Sequence, residues 1–132
     1  MGSVKTETQL SVFLPNRPGE LSRMCGVLRE ARVNMCALTV HDAIDHCLVR
    51  FVADNPTKAL LVLEQEECHV AEQQVLVVEL ENVPGALGRV CQKMAEADIN
   101  IHYAYATARP GEPTNVMILR TEDNDAAMEA LR

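Results

Sequence analysis

The sequence predicts an α+β fold built from two copies of one βαββαβ unit, each an antiparallel sheet with its helices on one face. Three observations lead there. The chain matches itself at a constant offset, which lays Asn16 on Asn82, Pro18 on Pro84, Gly19 on Gly85 and Leu21 on Leu87. Within each copy the apolar period switches from two to about 3.6 and back again, in the same order. With 132 residues, 48% of them hydrophobic, the chain can fill one ordinary core or two small ones.

The elements follow in order. "QLSVFL" puts Leu10, Val12 and Leu14 on one face of a strand, and "VLVVEL" repeats this with Leu76, Val78 and Leu80. After each Asn-x-Pro-Gly segment comes one apolar stripe on a helix, Leu21, Met24, Cys25 and Leu28 in the first copy and Leu87, Val90, Cys91 and Met94 in the second. Pro18 and Pro84 mark the helix starts, where a missing N–H costs nothing. The helices run to about Ala31 and Ala97, and "VNMCALTV" and "INIHYAYA" read as second strands. Hairpin tips "HDAID" and "RPGEP" lead into third strands "CLVRFV" and "NVMILR". Second helices open at Asn55-Pro56-Thr57 and at Asn124. A short fourth strand near His69–Glu72 completes the first copy as the split βαβ arrangement of ferredoxin-like domains. The second copy is expected to lack that last strand: either the sequence is cut short there, or the partner strand comes from elsewhere.

Seven more coincidences at the same offset strengthen the repeat, including Arg23 with Arg89, Cys25 with Cys91 and Asn34 with Asn100. A period this long means tandem small domains. The expected division is residues 1–72 and 73–132.

Composition excludes several functions. A net charge of −7, shared nearly evenly between the halves, opposes binding to nucleic acid or an anionic membrane surface. Aromatic residues are only 3%, too few to build base-stacking platforms. No run reaches the roughly 18 apolar residues of a membrane span, and "MGSVKTETQL" is too polar for a secretory signal, so the expected location is the cytoplasm. The five cysteines form no CxxC pair and read as small core hydrophobes. Cys36, His41, His46 and Cys47 match no familiar zinc spacing, and no metal or cofactor is expected. Nucleophile elbow, phosphate loop and dinucleotide fingerprint are all missing from the sequence, so the expectation is a non-catalytic protein.

"PNRPGELSRMCGVLREARVNMCALTV" and "ENVPGALGRVCQKMAEADINIHYAYA" each resemble the first half of an ACT domain, a small ligand-sensing module best known from regulated enzymes of amino-acid metabolism. The resemblance covers nearly the whole chain as two copies, and is strongest to stand-alone tandem ACT proteins. It implies a small-molecule ligand, in the first place a free amino acid, held between the Pro-Gly loop of one unit and the second strand of an adjacent one. The implied site residues are Asn16, Arg17, Pro18, Gly19, Glu20 and Leu21 with Asn34 and Met35 in the first copy. In the second they are Asn82, Val83, Pro84, Gly85, Ala86 and Leu87 with Asn100 and Ile101.

The residue chemistry agrees. A glycine at a helix start lets a ligand approach the backbone closely, and the N–H groups there attract a carboxylate. An asparagine amide can accept from an ammonium and donate to a carboxylate. The alternative readings are structural. Pro-Gly can be a tight turn with Asn16 and Asn82 satisfying loop backbone groups, and Asn34 and Asn100 can be left-handed residues ending a helix. Arg23 and Arg89 read as solvated helix-surface residues. Tyr103 and Tyr105 share one face by period two, and either line a pocket with His102 or pack at an interface. The near-continuous apolar runs "VLVVEL", "CLVRFV" and "NVMILR" leave no polar face to the sheet, which leads to the expectation of a homodimer formed partly through Val75 and Val77.

Overall fold

The computed structural model describes residues 2–132. Ten elements follow the expected order: β1 (Val4–Pro15), α1 (Glu20–Glu30), β2 (Met35–Ala43), β3 (His46–Ala53), α2 (Pro56–Gln65), β4 (His69–Glu81), α3 (Ala86–Glu96), β5 (Ile101–Thr107), β6 (Thr114–Thr121) and α4 (Asn124–Leu131). They form two compact units. The first is Thr8–Gln73, and the second joins the chain up to Glu7 with Gln74–Arg132.

In the first unit the strand order is β2-β3-β1-β4. The β1–β3 ladder is antiparallel and sets Leu10 opposite Phe51, Val12 opposite Val49 and Leu14 opposite Cys47. Directly opposed residues share a face, so these alternate positions form one apolar surface. Met24 and Leu28 of α1 and Ala59 and Leu63 of α2 complete the core on it. Each fully buried Leu or Phe there contributes roughly 1.5–3 kcal/mol. Asn55 caps α2 by accepting from the Lys58 N–H at 3.1 Å, with Pro56 in the first turn.

The second unit repeats the plan. Leu76, Val78 and Leu80 of β4, Val90 and Met94 of α3, Met117 and Leu119 of β6 and Ala127 and Leu131 of α4 form its core. As expected, no strand follows α4 among the described residues. The vacant sheet position is taken by the start of the chain. The Gly2 N–H donates to the Glu79 carbonyl at 3.0 Å and the Glu79 N–H to the Ser3 carbonyl at 2.9 Å, while Val4 packs against the second core. Residues before Thr8, grouped by sequence with the first copy, therefore belong to the second unit. The short fourth strand and the "VLVVEL" strand are one element, β4, because Gln73-Gln74 between them contain no turn residue.

Two local details differ from expectation. Gly19 and Gly85 lie outside the helices, as N-caps with φ of 90° and 87°, and the prolines precede them. The left-handed residues that end α1 and α3 are Arg32 and Asp98 (φ 59° and 57°), not Asn34 and Asn100. Here the Val33 N–H donates to the Leu28 carbonyl and the Ile99 N–H to the Met94 carbonyl, both at 2.9 Å, which closes each helix end. On the second sheet face, Val75 (0% exposed) and Ile118 (2%) are already buried in the single chain. That apolar run therefore does not by itself demand a partner subunit.

Candidate functional site

Each Pro-Gly loop is held from behind by its asparagine. Asn16 Nδ2 donates to Asp42 Oδ1 at 3.0 Å and to the Ile44 carbonyl at 2.8 Å, and the Asn16 N–H reaches the Asp45 carbonyl at 3.1 Å. Asn82 Nδ2 donates to the Arg109 and Glu112 carbonyls at 2.8 and 2.9 Å, and its N–H to the Pro113 carbonyl at 3.1 Å. Both amide donors are thus spent on the hairpin of the same unit. Of each side-chain amide, only the Oδ1 acceptor remains for a ligand.

The glycines do two things at once. A φ near +90° is strained for any residue with a Cβ, so glycine is required by the turn itself. Apart from the chain neighbours, no atom of the described residues comes within 4 Å of where a Cβ would stand on Gly19, and on Gly85 only Arg89 Nη1 does, at 4.0 Å. The backbone is therefore open on that side. Neither helix has a side-chain cap at this end. In the second unit Ala86 N–H donates to Val83 and Arg89 N–H to Gly85, and the N–H groups of Leu87 and Gly88 meet no acceptor among the described residues. Uncapped N–H groups at the positive end of a helix favour an anion.

The two loops differ where Glu20 of the first aligns with Ala86 of the second. Glu20 is buried, with Oε1 taking Arg17 Nε and Nη2 at 3.2 and 3.1 Å and Oε2 taking Arg23 Nε and Nη2 at 3.4 and 3.3 Å. The Arg17 hydrogen bond, backed by Arg23, holds the Glu20 carboxyl below the ordinary value of 4.5. The first loop thus carries its own paired anion. In the second, Ala86 leaves that space empty and Arg89 has no acidic partner among the described residues. An open depression of about 440 Å³ lies here, lined by Asn82, Val83, Pro84, Gly85, Ala86 and Leu87 together with Gly88, Ala108 and Asn115.

The strand residues lie elsewhere. Asn34 and Met35 line a separate depression of about 370 Å³ with Cys25, Leu28, Arg29, Arg32 and Val33. The Asn34 N–H donates to Asp54 Oδ1 and the Asn100 N–H to Glu122 Oε1, each at 3.0 Å, which fixes both strand starts and leaves both side-chain amides exposed. Ile101 is half-buried against the second core. Within each unit, then, the loop residues come together and the strand asparagines stand apart from them. Gly88, Ala108 and Asn115 were not among the expected site residues. Asn115 was legible, since period two in "NVMILR" sets it in phase with the core residues Met117 and Leu119.

Among the described residues no cluster of His, Cys, Asp or Glu is placed to hold a metal, and no helix is long and apolar enough to cross a membrane. Arg23 is not simply a solvated surface residue, given its bonds to Glu20. Tyr103 and Tyr105 lie opposite Arg120 and Ile118, on the sheet face away from the helices.

Two ferredoxin-like units, each with a Pro-Gly loop at an uncapped helix start, make the chain a tandem of one small α+β module. The chain belongs to the ACT domain pair family, whose model matches residues 5–131. Among solved structures it is similar to protein BT0572 from Bacteroides thetaiotaomicron, with a TM-score of 0.91 and 28% identity over 97% of this chain and 88% of that one. It shares its fold with the ligand-free regulatory subunit of aspartate kinase from Thermus thermophilus (TM-score 0.72, 18% identity, 98% and 95% of the two chains). The regulatory subunit of aspartate kinase from Thermus flavus is similar at a TM-score of 0.68 and 17% identity over 98% and 95%. No curated protein sequence matches. ACT domains are regulatory, and the family supports a regulatory, ligand-binding role for this pair.

Proposed function

We propose that this ACT pair is a non-catalytic cytoplasmic sensor of a free amino acid, working as a homodimer. The observation that carries the reading is the uncapped, open start of α3 at Gly85, where free N–H groups and Arg89 can receive a carboxylate in a depression of ligand size. In this reading the carboxylate rests on the Pro-Gly loop and an asparagine-bearing strand of an adjacent ACT unit, Asn34-Met35 or Asn100-Ile101, closes over the rest. A ligand shared between two units binds best when they are correctly apposed, so binding shifts their arrangement. The signal then passes to a target outside this chain.

A thermal-unfolding screen of the full chain against the common amino acids tests this. A ligand at 100 times its Kd adds about 2.7 kcal/mol, roughly 10 to 20 °C for a unit of this size. One or two amino acids raising Tm that far supports the sensor, and a flat response across the set refutes it.

A second reading has its own observation. Val83 (46% exposed) and Leu87 (41%) present apolar side chains beside the same loop, as a protein-docking surface would. Under that reading no amino acid moves Tm, and Val83→Asp weakens capture of a partner protein.

A further inference from the structure

Asn115 is a polar residue in a core position. It lies opposite Leu80 on the β4–β6 ladder and is only 8% exposed. Its Oδ1 is buried and accepts no hydrogen bond. A carbonyl oxygen withdrawn from water without a donor destabilises a fold, and an apolar residue of similar size would not carry that penalty. The matching position in the first unit, opposite Leu14, is Cys47, which makes no such demand. Asn115 also lines the depression at the second Pro-Gly loop. A carboxamide with an unpartnered oxygen at the wall of an open site is explained by something that enters the site.

We propose that Asn115 is a ligand-reading residue of the second unit. Its carboxamide oxygen accepts from the ammonium of an α-amino acid whose carboxylate lies on the free N–H groups of Leu87 and Gly88, beside Arg89. Rotation of the amide exchanges which of its two ends faces the depression, so the acceptor can turn to the ligand. The depression, about 440 Å³, falls within the roughly 300–1,000 Å³ typical of small-molecule sites. The first unit is the contrast. Its loop already holds a carboxylate, that of Glu20, between Arg17 and Arg23, and it lacks the amide. The second unit is therefore the one that takes the ligand. This inference rests on the amino-acid reading of the loop and assigns the group that reads the ammonium.

The test is calorimetric titration of the full chain, in wild-type, Asn115→Leu and Asn115→Asp forms. The probes are the common amino acids and, for any that binds, its des-amino carboxylic acid. A hydrogen bond to a charged group corresponds to about 10- to 100-fold in affinity. Asn115→Leu is expected to weaken the amino acid by that factor, to leave the des-amino acid unaffected, and to melt no lower than wild type without ligand. Asn115→Asp keeps an acceptor and is expected to keep the preference for the amino acid over its des-amino form. If Asn115→Leu binds the amino acid as tightly as wild type, or if all three forms discriminate the two ligands equally, the role of Asn115 is overturned and the sensor reading survives. If wild type binds no amino acid at all, the sensor reading falls and the role with it.

Discussion

Gly85 and Gly88 lie three residues apart at the same helix start, and alanine is expected to act in opposite directions at the two. At Gly85 the φ of 87° is left-handed, which costs a residue with a Cβ about 1–2 kcal/mol. Alanine also stiffens the unfolded chain, returning about 0.4–1 kcal/mol, so the net loss is about 1 kcal/mol. Gly88 lies inside α3 with nothing within 4 Å of where an alanine methyl would stand, so the open space accepts alanine freely. Replacing a helical glycine there is expected to gain about 0.5–1 kcal/mol. For a unit of this size each 1 kcal/mol moves Tm by about 4 to 8 °C, so the two variants melt on opposite sides of the wild type. Thermal unfolding by circular dichroism on ligand-free protein measures this. Two shifts of the same sign would refute the reasoning, since they would mean that Gly85 is not held left-handed or that Gly88 is not open. The pair also warns against reading Gly85→Ala as a pure binding probe, because it alters stability as well.

Other outcomes follow from the same structure. Because its guanidinium partners hold the folded carboxyl of Glu20 below 4.5, its stabilising effect is fully present above that value and is lost as pH falls through the lower folded value. Glu20→Gln is therefore expected to flatten the fall in Tm between about pH 6 and about pH 3, and an unchanged acid profile would contradict it. A chain starting at Thr8 removes the strand that pairs with the second half of β4 and uncovers the side of the second core on which Val4 packs. Hydrogen exchange should then show lost protection in Val75–Glu79 with α1 still protected, whereas unchanged protection there would contradict the assigned pairing.

Much of the fold was legible because the repeat is written in the residues that fix backbone geometry. The two Asn-x-Pro-Gly segments, the core stripes led by Met24 and Val90, and the period-two strands all fall where expected. What escaped was long-range or only weakly signalled. Val4–Glu7 is a polar, partly exposed stretch, and nothing in it shows that it completes the second unit's sheet. The boundary expected between residues 72 and 73 falls inside a strand, because β4 runs through it. At the site, the glycines and prolines were legible as a loop, but the sequence could not tell that Asn16 and Asn82 spend their amide donors on their own hairpins. The inequality of the two loops was in view as Glu20 against Ala86. Its meaning needed the geometry of Arg17 and Arg23 around the carboxylate.

The most direct test of the central claim is a residue-resolved titration by ¹⁵N-correlation NMR, which suits a 14.6 kDa chain, with the common amino acids added one at a time. Binding as proposed moves the backbone amides of Leu87 and Gly88 and the side-chain amide of Asn115, in a saturable way, for one or two amino acids. Spectra unchanged throughout, or shifts that saturate while these three signals stay still, would contradict it.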